Sequence, residues 1–77
     1  MREEVLQILN DLLPEQDFTH DVDFINEGMI DSFDLVLLVS EFDKRFDISI
    51  DGIDLVPENF SSIKQIVELL NKNGVGV

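Results

Sequence analysis

Asp31-Ser32 stands where an acidic loop runs into an apolar helical stripe, and it places one serine hydroxyl at a helix start. Helix starts leave backbone N–H groups unpaired and carry the positive end of the helix dipole, so a phosphate ester of that hydroxyl suits the position. Asp31 is the better N-cap of the two, because Asp34 follows three residues later as its acidic partner in the first turn. Ser32 is then the first helical residue, with its hydroxyl free to point outward. A serine nucleophile needs an adjacent base. The single histidine, His20, lies in the preceding loop, and no glycine-rich nucleophile turn surrounds Ser32. His20 reads as a solvated loop residue, and Ser32 as an attachment point modified by something else.

A second constellation competes for attention. Asp47, Ser49, Asp51, Gly52 and Glu58 fall at positions one, three, five, six and twelve of a loop of the kind that wraps Ca²⁺. Against it, position eight is Asp54 where an apolar residue normally pairs two loops, Pro57 disturbs position eleven, and no second loop follows. The same residues serve as an acidic connection in which Ile48, Ile50, Ile53 and Leu55 anchor the core. Weak, non-specific divalent binding is the expectation for so many acids.

At 77 residues the chain suits one domain, 1–77, with a modest core and little room for a catalytic cleft. Hydrophobic residues make up 44%, which argues for a globule over a disordered acidic tail. The net charge of −12 repels phosphate backbones, so nucleic acid is not the expected partner, whereas basic patches on proteins are. No apolar run approaches a membrane span, and the opening MREEVLQILN is unlike a secretory signal, so a cytoplasmic location is the default. The initial Met1 and the absence of linkers suggest a discrete protein, and a monomer is expected. Cysteine is absent, which removes disulfides, thiolate nucleophiles and zinc–thiolate sites. Thiol chemistry here needs an added group.

Three main helices must position the serine. Val5, Ile8, Leu9, Leu12 and Leu13 recur at three- and four-residue steps over Arg2–Leu13, and Pro14 ends that helix. Residues 15–31 read as a long loop tucking Phe18, Phe24, Ile25, Met29 and Ile30 inward, with Gly28 allowing a turn before Asp31. Leu35, Leu38, Val39, Phe42 and Phe46 predict a helix over Ser32–Phe46, about four turns long. Pro57-Glu58-Asn59-Phe60 suits a short helical turn. Ser61 or Ser62 caps a last helix with the inward stripe Ile63, Ile66, Val67 and Leu70, ending near Asn73-Gly74. The expected fold is an all-α bundle of three main helices and one short one, with a long first connection.

The segment Phe24-Ile25-Asn26-Glu27-Gly28-Met29-Ile30-Asp31-Ser32-Phe33, the apolar helix to Phe46-Asp47-Ile48 and the final Asn59-Phe60-Ser61-Ser62-Ile63 together resemble the acyl carrier and peptidyl carrier protein family over nearly the whole chain. The resemblance implies that Ser32 receives a 4′-phosphopantetheine arm from coenzyme A through a Mg²⁺-dependent phosphopantetheinyl transferase, and that Asp31 helps this enzyme engage the site. It implies an arm ending in a thiol, which fits a chain without cysteine. It further implies a non-enzymatic carrier of acyl, aminoacyl or ketide thioesters. A loading ligase and synthase or transferase domains would do the chemistry, in fatty acid, polyketide, nonribosomal peptide or D-alanyl transfer pathways.

At about 100° per residue, the face of the Ser32–Phe46 helix opposite its core stripe carries Phe33, Leu37, Ser40 and Lys44. Two large apolar residues on a second face exceed what burial in so small a bundle explains, so Phe33, Leu37 and Val36 are candidates for partner docking, flanked by Asp34, Glu41 and Asp43. Leucine is commoner in the family at the position of Phe33. Carriers of fatty acid synthesis show a glutamate-rich version of this face, where this chain has Leu37, Lys44 and Arg45; Lys44 would select against highly basic partners. A plain acidic interaction module without a prosthetic group shares every compositional feature, and modification of Ser32 discriminates the two.

Overall fold

Three α-helices carry the chain in the computed structural model, which describes residues 1–20 and 22–75: α1 (Arg2–Leu12), α2 (Ser32–Phe46) and α3 (Ile63–Lys72). Among the described residues there is no strand, and the all-α expectation holds. The one short helix foreseen at Pro57–Phe60 is a 3₁₀ turn, and a second 3₁₀ turn forms at Gly52–Asp54. None of the helices is long and apolar enough to cross a membrane.

Each boundary has a local cause. Leu13, the last residue before Pro14, sends its N–H to the Leu9 carbonyl 2.8 Å away and closes α1, since the residue before proline is steered away from helical angles. α2 ends on Asp47 in the left-handed conformation, φ 53°, which aspartate tolerates better than most side chains. Ser62 caps α3 by accepting the Gln65 N–H at 3.1 Å, and Gly74, φ 92°, follows its end.

The stripes meet in one core. Val5, Ile8 and Leu9 of α1, Leu35, Leu38, Val39 and Phe42 of α2, and Ile63, Ile66, Leu69 and Leu70 of α3 are buried together with Phe60. Two side chains depart from expectation on α3: Leu69 is buried, whereas Val67 is only half-buried and lies at the edge of the apolar arc. A sharper departure occurs in the second connection, where Ile53, expected as a core anchor, is 80% exposed and its neighbour Asp54 is 9% exposed. The 3₁₀ turn causes the exchange by turning Ile53 to solvent, while the buried Asp54 carboxylate meets Lys72 Nζ at 2.8 Å. Ile50 is buried, and Ile48 and Leu55 pack partly against the core as expected.

The first connection folds as part of the core. Phe18, Phe24 and Ile30 are buried, with the Phe18 and Phe24 rings edge to face at 5.0 Å. Asp23 Oδ1 accepts the N–H groups of Ile25 and Asn26, making the turn, and Gly28 at φ 71° takes the left-handed angle that the turn requires. The Phe24 carbonyl then accepts from Met29 at 2.8 Å and Ile30 at 3.2 Å, while the Phe24 N–H donates to the Ser61 carbonyl at 2.8 Å. These bonds fix the approach to Asp31 against the entrance of α3.

Candidate functional site

The start of α2 is held by a complete capping box. Asp31 Oδ1 accepts the Asp34 N–H at 3.0 Å, and Asp34 Oδ2 accepts the Asp31 N–H at 3.1 Å. The Leu35 N–H donates to the Asp31 carbonyl at 3.2 Å. Ser32 is therefore the first helical residue, exposed, and its hydroxyl takes no part in these bonds. The expectation for Asp31 as cap and Ser32 as free hydroxyl is met at the level of geometry.

One electrostatic expectation needs correction. The helix dipole supplies only about half a positive charge at its N-terminus, two carboxylates, Asp31 and Asp34, stand in or beside that turn, and the Asp34 N–H is already paired. The local field does not draw a phosphate in. What suits a phosphate ester at Ser32 is exposure, because water screens the neighbouring acids and solvates the charge.

His20 stands apart from the serine. It is exposed, and its Nε2 lies 3.2 Å from Asp17 Oδ2. Asp17 in turn accepts from the Thr19 hydroxyl and backbone N–H, and these bonds, followed by the nearby histidine, hold its carboxyl below the ordinary carboxylate range. His20 thus belongs to a surface turn of the first connection.

Phe33, Val36 and Leu37 are 71%, 57% and 41% exposed, adjoining Ser32 on the solvent side of α2. The acids expected around them have other duties. Asp34 closes the capping box. Glu41 Oε2 accepts from Arg45 Nε at 2.8 Å, and Arg45 also reaches Asp11 Oδ2 on α1 at 3.3 Å. The hydrogen bond that Arg45 donates to Glu41, ahead of the one it donates to Asp11, raises its affinity for its proton. Asp43 hooks the chain back after α2: its carbonyl accepts from Asp47 and Ile48, and its Oδ1 accepts from Ile50 at 3.0 Å. Lys44 is exposed.

The calcium-like constellation is not assembled. Asp51 spends a carboxylate oxygen on the Ile53 N–H at 3.1 Å, and Asp47 forms the end of α2. Among the described residues, no group of three or more His, Cys, Asp or Glu is placed to hold a metal ion.

The family profile described as "Phosphopantetheine attachment site" matches residues 2–70, from the first residue of α1 to the last turn of α3. The chain belongs to this family, that of the acyl and peptidyl carrier proteins. Members carry covalently attached 4′-phosphopantetheine, and an exposed hydroxyl on a locked helix start fits such a group. No solved structure matches the chain significantly. For this carrier-family chain, the feature that sequence reasoning missed is the Asp54–Lys72 pair, whose partners lie 18 residues apart and share no local pattern.

Proposed function

We propose that residues 1–77 act as a single carrier domain whose Ser32 hydroxyl bears 4′-phosphopantetheine. The observation that carries this reading is an exposed serine at the first position of α2, directly after a doubly bonded cap, within a chain of the phosphopantetheine-attachment family. The group supplies, when bound, the thiol that a cysteine-free chain lacks, and so a site for thioesters.

The chain's own residues hold and present. Asp31 fixes the backbone before Ser32, so that a Mg²⁺-dependent phosphopantetheinyl transferase meets the hydroxyl in one orientation. Asp31 and Asp34 keep the first turn wound and its surroundings anionic. Phe33, Val36 and Leu37 form an apolar docking patch beside the serine, and their exposure supports that role. Asp34, Glu41 and Asp43 contribute to docking mainly by holding the patch in place, since each has an internal partner. The partners are a loading ligase and synthase or transferase domains that use acyl, aminoacyl or ketide thioesters. The domain itself catalyses nothing, works as a monomer and serves a cytoplasmic pathway of fatty acid, polyketide, nonribosomal peptide or D-alanyl transfer. The lysine and arginine at Lys44 and Arg45 favour a pathway other than primary fatty acid synthesis.

Intact-mass spectrometry after incubation with coenzyme A and a phosphopantetheinyl transferase tests the assignment. The wild-type chain is expected to gain one phosphopantetheine and the Ser32→Ala variant none. An unmodified wild-type chain would instead favour a plain acidic interaction module.

A further inference from the structure

A cavity lies away from Ser32, between the first connection and the N-terminal ends of α1 and α3. It is a half-open depression of about 460 Å³, within the usual size of a small-molecule site. Its apolar lining comes from Phe18, Phe24 and Ile63, and its rim from Arg2, His20 and Lys64. None of residues 31–37 contributes to it.

The ionisable groups among the described lining residues are Arg2, His20 and Lys64. The chain has 17 acidic residues against 5 Lys and Arg and one His. Two of those five, with the histidine, converge here, and no carboxylate is found among the described lining residues. Asp17 partly matches His20. Arg2 and Lys64 have no carboxylate partner among the described residues, whereas Arg45 and Lys72 each have one.

Placement of the two cations is also unfavourable for folding alone. Arg2 is the first residue of α1 and Lys64 the second of α3. Positive charge at a helix N-terminus opposes the dipole. Glu3 and Glu4 offset the dipole in the first turn of α1, whereas the first turn of α3 holds no acid, so only the α3 terminus adds to the cationic potential beside Lys64.

A neighbouring depression of about 220 Å³ shares Arg2, Phe18 and Ile63 and adds Leu6. Glu3 and Thr19 line it as well. An anionic head between Arg2 and Lys64 would thus leave an apolar tail a continuous path over Phe18, Ile63 and Leu6.

We propose that this cavity binds a small anionic amphiphile, a carboxylate or phosphate monoester with a short apolar tail, held by Arg2 and Lys64. The binding is independent of any modification of Ser32. The net charge of −12 repels such a ligand at long range, so affinity depends on these local cations.

Two-dimensional NMR titration of the unmodified full chain with octanoate and with octyl phosphate, using octanol as the uncharged control, tests the site. At least one anion is expected to shift the amides of Phe18, Phe24, Ile63 and Lys64, and to bind more tightly than octanol. The double variant Arg2→Gln/Lys64→Gln, with an unchanged circular dichroism spectrum, should bind that anion roughly tenfold or more weakly, the loss expected for charge-assisted hydrogen bonds. A conservative Arg2→Lys/Lys64→Arg variant should retain most of the affinity. Absence of binding by both anions, equal binding of octanol, shifts confined to other parts of the chain, or undiminished binding by the glutamine variant would each overturn the proposal.

Discussion

Lys72 Nζ, in the last turn of α3, lies 2.8 Å from Oδ1 of Asp54, a residue only 9% exposed in the second connection. The contact joins elements that local sequence does not relate. Asn59 Nδ2 donates to the Asp54 carbonyl at 2.8 Å, so side chain and backbone of one aspartate are both tied down. A carboxylate this shielded needs its partner, because burial penalises an unmatched charge.

Lys72→Met is therefore expected to destabilise the fold by about 1–3 kcal/mol, the cost of leaving a shielded polar group unsatisfied. Urea unfolding followed by circular dichroism measures it. A double-mutant cycle with Asp54→Asn should give a coupling of about 0.5–3 kcal/mol, since the two side chains touch. Additive losses would mean that the pair contributes nothing jointly.

Asp31→Ala removes the cap oxygen that holds the Asp34 N–H. A loss of about 1 kcal/mol is expected, readable in the same unfolding experiment. Transferase modification at Ser32 should slow at temperatures where the variant remains folded. Asp31→Asn keeps a cap acceptor and should recover most of the stability.

Substitutions on the exposed patch should separate folding from docking. Leu37→Glu and Phe33→Ala change stability by no more than about 0.5–1 kcal/mol, because little burial is lost. Activity with a cognate partner enzyme should fall at least several-fold, chiefly through a raised KM for the carrier. By contrast, Phe24→Ala empties a buried site beside Phe18 and should cost about 3–5 kcal/mol, enough to unfold much of so small a domain.

The surface turn around Asp17 makes a pH prediction. Its native carboxyl is held below the ordinary range, first by the Thr19 hydroxyl and amide. The sign follows: its contribution is present above the unfolded carboxylate pKa and is lost as pH falls through the lower native value. Full exposure makes the contribution small. Side-chain carbon NMR should show Asp17 titrating below an unperturbed aspartate, and Thr19→Ala should move it upward. An unchanged titration in the variant would remove the hydroxyl as the cause.

Helix α2 was legible from end to end because period, cap and acidic first turn all point to one start, and its apolar stripe stops at Phe46. The first connection was legible as loop plus inward phenylalanines, since isolated large apolar side chains among acids and glycine have nowhere else to go. Ile53 was misjudged because hydrophobicity alone does not say which side of a three-residue turn meets the core. The duty of Asp43 was hidden for another reason. Acid residues on a helix face look alike in sequence, whereas the Asp43 bond depends on where the chain returns, at Ile50; the Glu41–Arg45 pair, four residues apart on one helix, has a spacing that sequence does display. Exposure of Phe33 and Leu37 followed from the helical wheel, but a surface that would dock on them is not written in this sequence.

Ser32 opens α2 immediately after a residue whose backbone and side chain are pinned in both directions. In kinematic terms this makes the serine a fixed pivot rather than the end of a slack tether. A group mounted there sweeps a volume set by its own length, with no play added by the chain beneath it. Under the proposed function, the Phe33 and Leu37 side chains, one helical turn apart, would give a visiting surface a fixed bearing on that pivot. Angle of approach and radius of swing would then be separately adjustable, one by the proposed patch and the other by the arm.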